Sequence, residues 1–441
     1  MENKDLELGD MENMIQKRVQ RFLDRVEKEH SLNEQITPSI HMAPHTLRDV
    51  SPHSFNPRVV SIGPLHRDDE NVQAFERQKA TYLINLMTCM PSPQETIMNS
   101  CMQKVYASME KIKACYVLTK TYDDVEFAEM MVMDACFILG FILQVLISWS
   151  ESNSEYIFQL GDVVSDLVLL ENQIPFFFLD EIFKCTIAEL DPGLSLVTFM
   201  VPVLLFLNLF DSDAGLGSVE NISIDDTHHI LSLLHEFYKP QKDGIIPEGC
   251  LSTRNRSAVD LDKAGVKFKP NRTQTWVLGM EMEFPCFLWS WCKCTLRMPV
   301  LNVHDSTELI LRNLIAYELE SRQTPKYISS YAFVMDILVN TEDDVAKLVD
   351  SKVLVNIMGS NEEAANMINN ICKHVCVVDS FYTQQWKTLD KYSNNYWPKH
   401  IAWVRRTYFS NPWNIIALVV GSIIFALTMV QTIFTINGGN N

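Results

Sequence analysis

Apolar positions along this chain recur mostly at helical spacing, and they are densest between Asp166 and Phe183, in DLVLLENQIPFFFLDEIF. There Leu167, Leu170, Ile174, Phe177 and Phe178 follow the helical period while strict alternation fails, which predicts a helix interrupted or re-aimed at Pro175. A segment that sets Pro175 and three consecutive phenylalanines beside a short polar insert, Glu171-Asn172-Gln173, cannot face water. It is a core segment, and the rest of the chain is read as its cover.

Residues 1–35 are charged and helix-prone, with a thin apolar stripe of Met14, Val19, Phe22, Leu23 and Val26 that suits docking on the body or pairing with another helix. From Ile36 to Arg67 prolines 38, 44, 52, 57 and 64 forbid long helices, so the chain is expected to be extended. A helical hairpin follows, with Phe75, Lys79, Tyr82, Leu83 and Leu86 on one face, a break at Met90-Pro91, and a second helix that includes Tyr106 to Tyr116. The apolar run Ala135 to Trp149 is short for a bilayer span and suits a buried helix. Pro192 to Phe210 is closer to spanning length, but Pro202 and the bordering Asp191 and Asp211 leave a core segment and a membrane-inserted one both open. Residues 211–227 read as an acidic loop and 228–238 as a short helix.

The period changes between Val259 and Val303. GVKFK, VLGMEMEF and TLRMPVLNV alternate, which predicts a small antiparallel sheet on a large helical body, an α+β chain that is mainly α. Helix returns in TELILRNLIAYELE, and Thr341 with Asp344 and Ser360 with Glu363 mark two further helix starts by hydroxyl caps set three residues ahead of carboxylates.

After Arg406 no charged side chain occurs. Ile415 to Ile436 forms an uncharged run that, as a helix rising about 1.5 Å per residue, covers a hydrocarbon core of about 30 Å. Lys387, Lys391, Lys399, Arg405 and Arg406 lie upstream, Trp397, Trp403, Tyr408 and Trp413 form an interfacial belt, and only Asn437 to Asn441 lie beyond. The positive-inside rule then places the body in the cytosol and the final residues across a plasma or internal membrane, as in a tail-anchored protein. The opposite orientation would present Asn221-Ile-Ser, Asn255-Arg-Ser and Asn271-Arg-Thr for glycosylation. The expected organisation is a helical extension over 1–35, a cytosolic domain over 36–406 with its sheet around 259–303, and an anchor over 407–441.

Composition narrows the chemistry. The 441 residues carry 37 basic and 55 acidic side chains, which argues against a broad nucleic-acid surface. Eleven cysteines without regular spacing read as reduced thiols, and MENKDLELGD lacks the parts of a signal peptide. His41, His45 and His53 lack a Cys or carboxylate partner at ligand spacing, and Cys292 and Cys294 lack a partner pair. Cys372, His374 and Cys376 are expected on a helix where only the cysteines share a face. His235-Glu236 begins a zincin pattern that fails because position 239 is Lys, leaving His228 and His235 as surface or network residues. Asp134, Asp166, Glu171, Arg312 and Glu318 stand in apolar surroundings where shifted pKa values would suit acid/base work. No Gly-rich phosphate loop, nucleophile elbow or metal signature accompanies them, so a mutually satisfying polar network is the preferred reading. No catalytic, cofactor-binding or metal-binding residue is assigned.

SIGPLHR at 61–67, FERQKATYL at 75–83, MMVMDACFILGFIL at 130–143, DLVLLENQIPFFFLDEIF at 166–183, AGVKFK at 264–269, LRNLIAYE at 311–318 and the terminal apolar run occur in the same order in the plant family known as domain of unknown function 247, which this chain resembles from about Ile36 onward. The resemblance implies a plant protein with a mainly helical body, a small sheet and one span, and it carries over no catalytic residues. Some grass members are linked to self-incompatibility, which implies recognition or signalling. The chain departs from the family at Ala135-Cys136-Phe137 followed by Gly140, where many relatives have Gly-Cys-Phe and then an acidic residue. It departs again at Leu65, where an aromatic is common, and at Phe75, where Met is common. The function expected is a non-catalytic scaffold that binds the bilayer through 415–436 and an unidentified protein partner, without nucleic acid or cofactor. The alternative is a hydrolase using buried carboxylates such as Glu171 and Glu318.

Overall fold

A computed structural model describes residues 17–23, 38–118, 120–150, 161–211, 222–224, 227–240, 246–251, 256–271, 276–284, 294–320, 324–394 and 412–438. Its contacts separate two compact units, Met1–Leu207 with Val219–Glu236, and Asn208–Ser218 with Phe237–Asn441. The prolines do what their fixed φ and missing N–H require in the first unit: one turn, α1 (His45–Arg48), and a 3-10 turn over Pro52–Ser54 interrupt a run that is otherwise irregular up to Arg67. The two helices expected on either side of Met90-Pro91 are α2 (Glu76–Cys89) and α3 (Gln94–Ala114); each packs on α4 (Asp124–Ser150), whose apolar middle is buried as expected, and not chiefly on the other as a hairpin would. Gly140 lets α2 and α4 approach, since a Cβ there would stand 2.7 Å from the Tyr82 carbonyl.

The central motif departs from its predicted helix. α5 (Gly161–Asp166) ends where the motif begins, residues 167–175 are non-helical and buried, and α6 (Phe176–Cys185) starts immediately after Pro175. The polar insert explains the difference. Asn172 Nδ2 donates to the Asp166 carbonyl at 2.9 Å, and Gln173 Nε2 donates to those of Leu167 and Leu169, both at 2.7 Å. Side chains that take up nearby carbonyls offer the backbone an alternative to the helical ladder. The run Pro192–Phe210 breaks into α7 (Leu196–Phe199) and α8 (Val201–Leu207), with Pro202 in the first turn of α8 and most of both helices buried. α9 (Ile230–Phe237) follows, with His228 outside it.

The second unit holds the strands. After α10 (Ala258–Lys263), β1 (Val266–Pro270), β2 (Glu281–Glu283) and β3 (Cys294–Met298) form a sheet in the order β1-β3-β2. The small sheet falls where alternation placed it, but it is mixed: β2 runs antiparallel to β3 while β1 pairs parallel to it, Val266 opposite Cys294. More than twenty residues separate β1 from β3, ample for the crossover a parallel pair needs and far more than a hairpin uses. The run TLRMPVLNV divides between β3 and β4 (Leu301–Val303), and β4 pairs parallel with β5 (Leu354–Asn356), a strand the sequence does not announce because three residues show no period.

Helices α11 (Thr307–Glu320), α12 (Tyr327–Leu338), α13 (Glu342–Asp350), α14 (Asn361–Ile371) and α15 (Thr383–Asn394) complete the body of this unit. Both predicted caps are present: Asp344 accepts from the Thr341 N–H at 3.1 Å, and Ser360 Oγ accepts from the Glu363 N–H at 3.1 Å. Finally α16 (Pro412–Gly438) carries the terminal apolar run, and every side chain described along it is exposed. Of the upstream flank, Lys387 and Lys391 lie on α15, while Trp397, Lys399, Trp403, Arg405, Arg406 and Tyr408 fall outside the described residues. So do most of the acidic loop 211–227 and of the extension 1–35.

Candidate functional site

Backbone N–H groups that leave water must find acceptors, and an extended run with no strand beside it has none of its own. Residues 57–63 are such a run: Val60, Ser61, Ile62 and Gly63 are buried, and none belongs to a strand or helix. Side chains from far along the chain supply the acceptors. Asp166 takes three N–H groups, those of Arg58 at 2.9 Å, Val59 at 2.7 Å and Val60 at 2.9 Å. Asn172 accepts from Ile62 N–H at 2.6 Å and donates to Val60 O at 3.0 Å, bonding one strap residue by each end of its amide. Asp134 accepts from Gly63 N–H at 2.8 Å. Gly63 has φ 72, and a Cβ there would stand 2.7 Å from Gln173 O. Only glycine satisfies both demands.

Charges neutralise this cluster in pairs. Lys79 Nζ, fully buried on α2, lies 2.6 Å from Asp134 Oδ1 and donates to Ser61 O at 2.5 Å, with Glu76 2.6 Å away on the same helix. Glu171 accepts from Ala43 N–H at 2.8 Å, from Arg48, and from His66 Nε2 at 2.8 Å; His66 Nδ1 faces Asp69 at 2.7 Å. Burial alone would lower the His66 pKa, but its bonds to Glu171 and Asp69 prevail and hold it above the usual histidine value. Burial pushes Asp166 up to about 6 against the opposing pull of its three backbone donors, and pushes Asp134 up against the pull of Lys79.

Three of the five candidate charged residues, Asp134, Asp166 and Glu171, therefore share one network in the first unit. The other two serve local ends in the second. Glu318 accepts from the N–H groups of Ile328 at 2.8 Å and Ser329 at 2.7 Å, capping α12 from the preceding helix. Arg312 pairs with Glu308 at 2.8 Å and donates to Asn370 O at 3.1 Å, at the carbonyl end of α14. Both His66 ring nitrogens face carboxylates, so the histidine activates no hydroxyl or thiol.

Arg48, His66 and Lys79 are the participants that sequence reasoning missed as chemistry. Lys79 carried a signal, a lysine on an otherwise apolar helix face. Cys101 also meets Cys136 and Cys185, thiol to thiol; the contact with Cys136 and burial raise Cys101 to about 12 against the opposing pull of Cys185. Cys101 and Cys185, both raised, stay protonated and unreactive.

Of the histidines, His45 and His53 are exposed, His41 Nδ1 bonds Met42 O at 3.0 Å, His228 is exposed and His235 is buried. Cys294 is buried on β3, and Cys292 lies outside the described residues. The helix expected to carry Cys372, His374 and Cys376 ends at Ile371 with Cys372 as its cap, and a turn that is left-handed at His374, φ 64, follows, which the cysteine spacing does not reveal. Among the described residues no group of three His, Cys, Asp or Glu side chains is placed to hold a metal ion.

The clamp is built within a mainly helical chain that carries a small mixed sheet. The chain belongs to the family of plant proteins of unknown function designated DUF247, whose model matches residues 40–427. Among its relatives is the UPF0481 protein At3g47200 of Arabidopsis thaliana, 26% identical over 89% of this chain and 85% of that protein. A second Arabidopsis thaliana UPF0481 protein, At3g02645, is 22% identical over 94% of this chain and 93% of its own length. No solved structure matches the chain.

Proposed function

We propose that this protein is a membrane-anchored, non-catalytic scaffold whose cytosolic body binds a protein partner in recognition or signalling. The observation that carries the reading is α16. Ile416–Thr435 is long and apolar enough to cross a membrane and has none of its surface buried, with Phe425 68% and Phe434 74% exposed. Water does not tolerate an apolar surface of that extent, whereas a bilayer of about 30 Å matches it in length and composition. The hydroxyls of Ser422, Thr428, Thr432 and Thr435 each bond the carbonyl four residues back, so these polar groups enter lipid already satisfied.

The basic flank supports an orientation with the body on the cytosolic face. Asn271 supports it too, because its Nδ2, the atom a glycan would occupy, donates to Gly279 O at 2.8 Å. Support for a non-catalytic body comes from the clamp: Asp134, Asp166 and Glu171 direct their oxygens at backbone N–H groups and neighbouring cations. The hydrolase alternative finds no comparable support, since Glu318 is taken up by the start of α12 and is separate from the clamp.

The test is carbonate extraction and protease protection of the full-length chain in sealed membranes. An N-terminal tag that is digested while the protein stays with the membrane fits the reading. A shielded tag, or protein released by carbonate, refutes it. Turnover on an ester or amide library that disappears in a folded Glu171→Gln variant would establish the hydrolase instead.

A further inference from the structure

The helix over residues 17–23, KRVQRFL, leaves its apolar side chains exposed: Val19 is 51%, Phe22 61% and Leu23 47% exposed. With about 100° between successive residues, Phe22, Val19 and Leu23 fall in one arc of about 100°, and Lys17, Arg21 and Arg18 fall in an adjacent arc of similar width. Gln20 lies between them on the far side, and the segment contains no acid. Of the flanking residues, Ile15 and Val26 match the apolar arc and Arg25 and Lys28 the basic one, while Met14 falls on the basic side, Glu12 on the apolar side, and Asp24 and Glu27 between the two.

We propose that this helix lies in the surface of the anionic leaflet that faces the folded body, its Val19, Phe22 and Leu23 among the upper acyl chains and Lys17, Arg18 and Arg21 on the lipid phosphates. The proposal rests on the anchored reading above and names the surface on which the N-terminal segment docks.

Charge selects this occupant. The chain has a net charge of −18, so its body is repelled by an anionic surface, while this segment carries three cations and no acid. The acidic body attracts the same cations, yet the apolar arc stays exposed instead of being packed against it. A second copy would supply an apolar partner but would set six cations together. An acidic leaflet satisfies both arcs at once, which is the design of interfacial helices. Three apolar residues give weak affinity in isolation. A span elsewhere in the chain makes the docking intramolecular and removes most of the concentration penalty. The fourteen residues 24–37 can span at most roughly 50 Å, so the docked segment stays within that distance of residue 38.

The experiment places an environment-sensitive fluorescent amino acid at position 22 of the full-length chain, reconstituted in phosphatidylcholine vesicles with or without phosphatidylserine. The expected result is blue-shifted emission, quenched by brominated lipid, only where phosphatidylserine is present. Raising salt until the Debye length falls from about 10 Å to about 3 Å should reverse it. Replacing Lys17, Arg18 and Arg21 together by Glu should lower the docked-to-free ratio by at least about 100-fold, each lost cation counting for about fivefold.

Water-like emission in both vesicles overturns the proposal. So does a blue shift that brominated lipid does not quench, which would mean docking on the body, or one that tracks protein density and not phosphatidylserine, which would mean a second copy. Vesicle flotation of the same sample after a carbonate wash separates the two readings: floating protein with an unshifted probe sinks this proposal alone, and protein that does not float sinks the anchor as well.

Discussion

Replacing Asp166 by Ala removes one carboxylate and strands three N–H groups at once, those of Arg58, Val59 and Val60. An unsatisfied buried donor costs about 1–3 kcal/mol. The Val60 bond is fully buried, so its donor bears the upper part of that range, while the Arg58 and Val59 bonds are partly buried and regain some of the loss from water. The expected loss is about 3–5 kcal/mol. Asp166→Asn keeps the shape and one oxygen but turns an NH2 toward donors, and should cost about half as much or more.

Because the chain forms two compact units, a single unfolding free energy is not a safe readout. Hydrogen exchange at 58–60 reads the clamp directly, and a loss of this size speeds exchange by about 100- to 1,000-fold or more. Amides 58–60 that exchange in Asp166→Ala as they do in the parent, with an unchanged thermal midpoint, would refute the idea that side chains hold this strap.

Three other outcomes follow from the same geometry. His66 and Asp166 both have pKa values raised by folding, so the folded chain binds more protons than the unfolded one; stability is greatest at low pH within this linkage and falls as pH rises, from about 4 to 6 through Asp166 and above 6.5 through His66. His66→Gln should flatten the upper part of that slope in melts taken between those limits and beyond. Gly63→Ala requires a left-handed alanine and a Cβ 2.7 Å from Gln173 O, and should cost about 2–4 kcal/mol in exchange protection of the strap. Glu318→Ala should free the first turn of α12, costing about 1–2 kcal/mol there and leaving residues 58–60 untouched by exchange mass spectrometry.

The sequence showed where the core lies better than how its backbone runs. Leu167, Leu170 and Ile174 are buried as their spacing implied, but an irregular turn buries them as well as a helix would, and periodicity cannot separate the two. The decisive bonds come from Asn172 and Gln173 to carbonyls four to six residues back. α4 and the two capped helix starts were legible because their signals are local. The clamp was half legible: a polar network around Asp134, Asp166 and Glu171 follows from the cost of burying charge, but their partners lie 55 to 128 residues away in sequence. The parallel pairing of β1 with β3 was hidden for a related reason, since alternation reveals a half-buried strand and is silent about its neighbour's direction.

The order in which the clamp is made differs from the order in which it is synthesised. Residues 57–63 leave the ribosome more than a hundred residues ahead of Asp166 and Asn172, and synthesis proceeds at roughly 5–20 residues per second. For several seconds the nascent strap has neither a strand to zip against nor the side chains that will hold it. Translation speed between codons 63 and 173, and the chaperones waiting at the tunnel mouth, thus bear on whether this region reaches its native state at all.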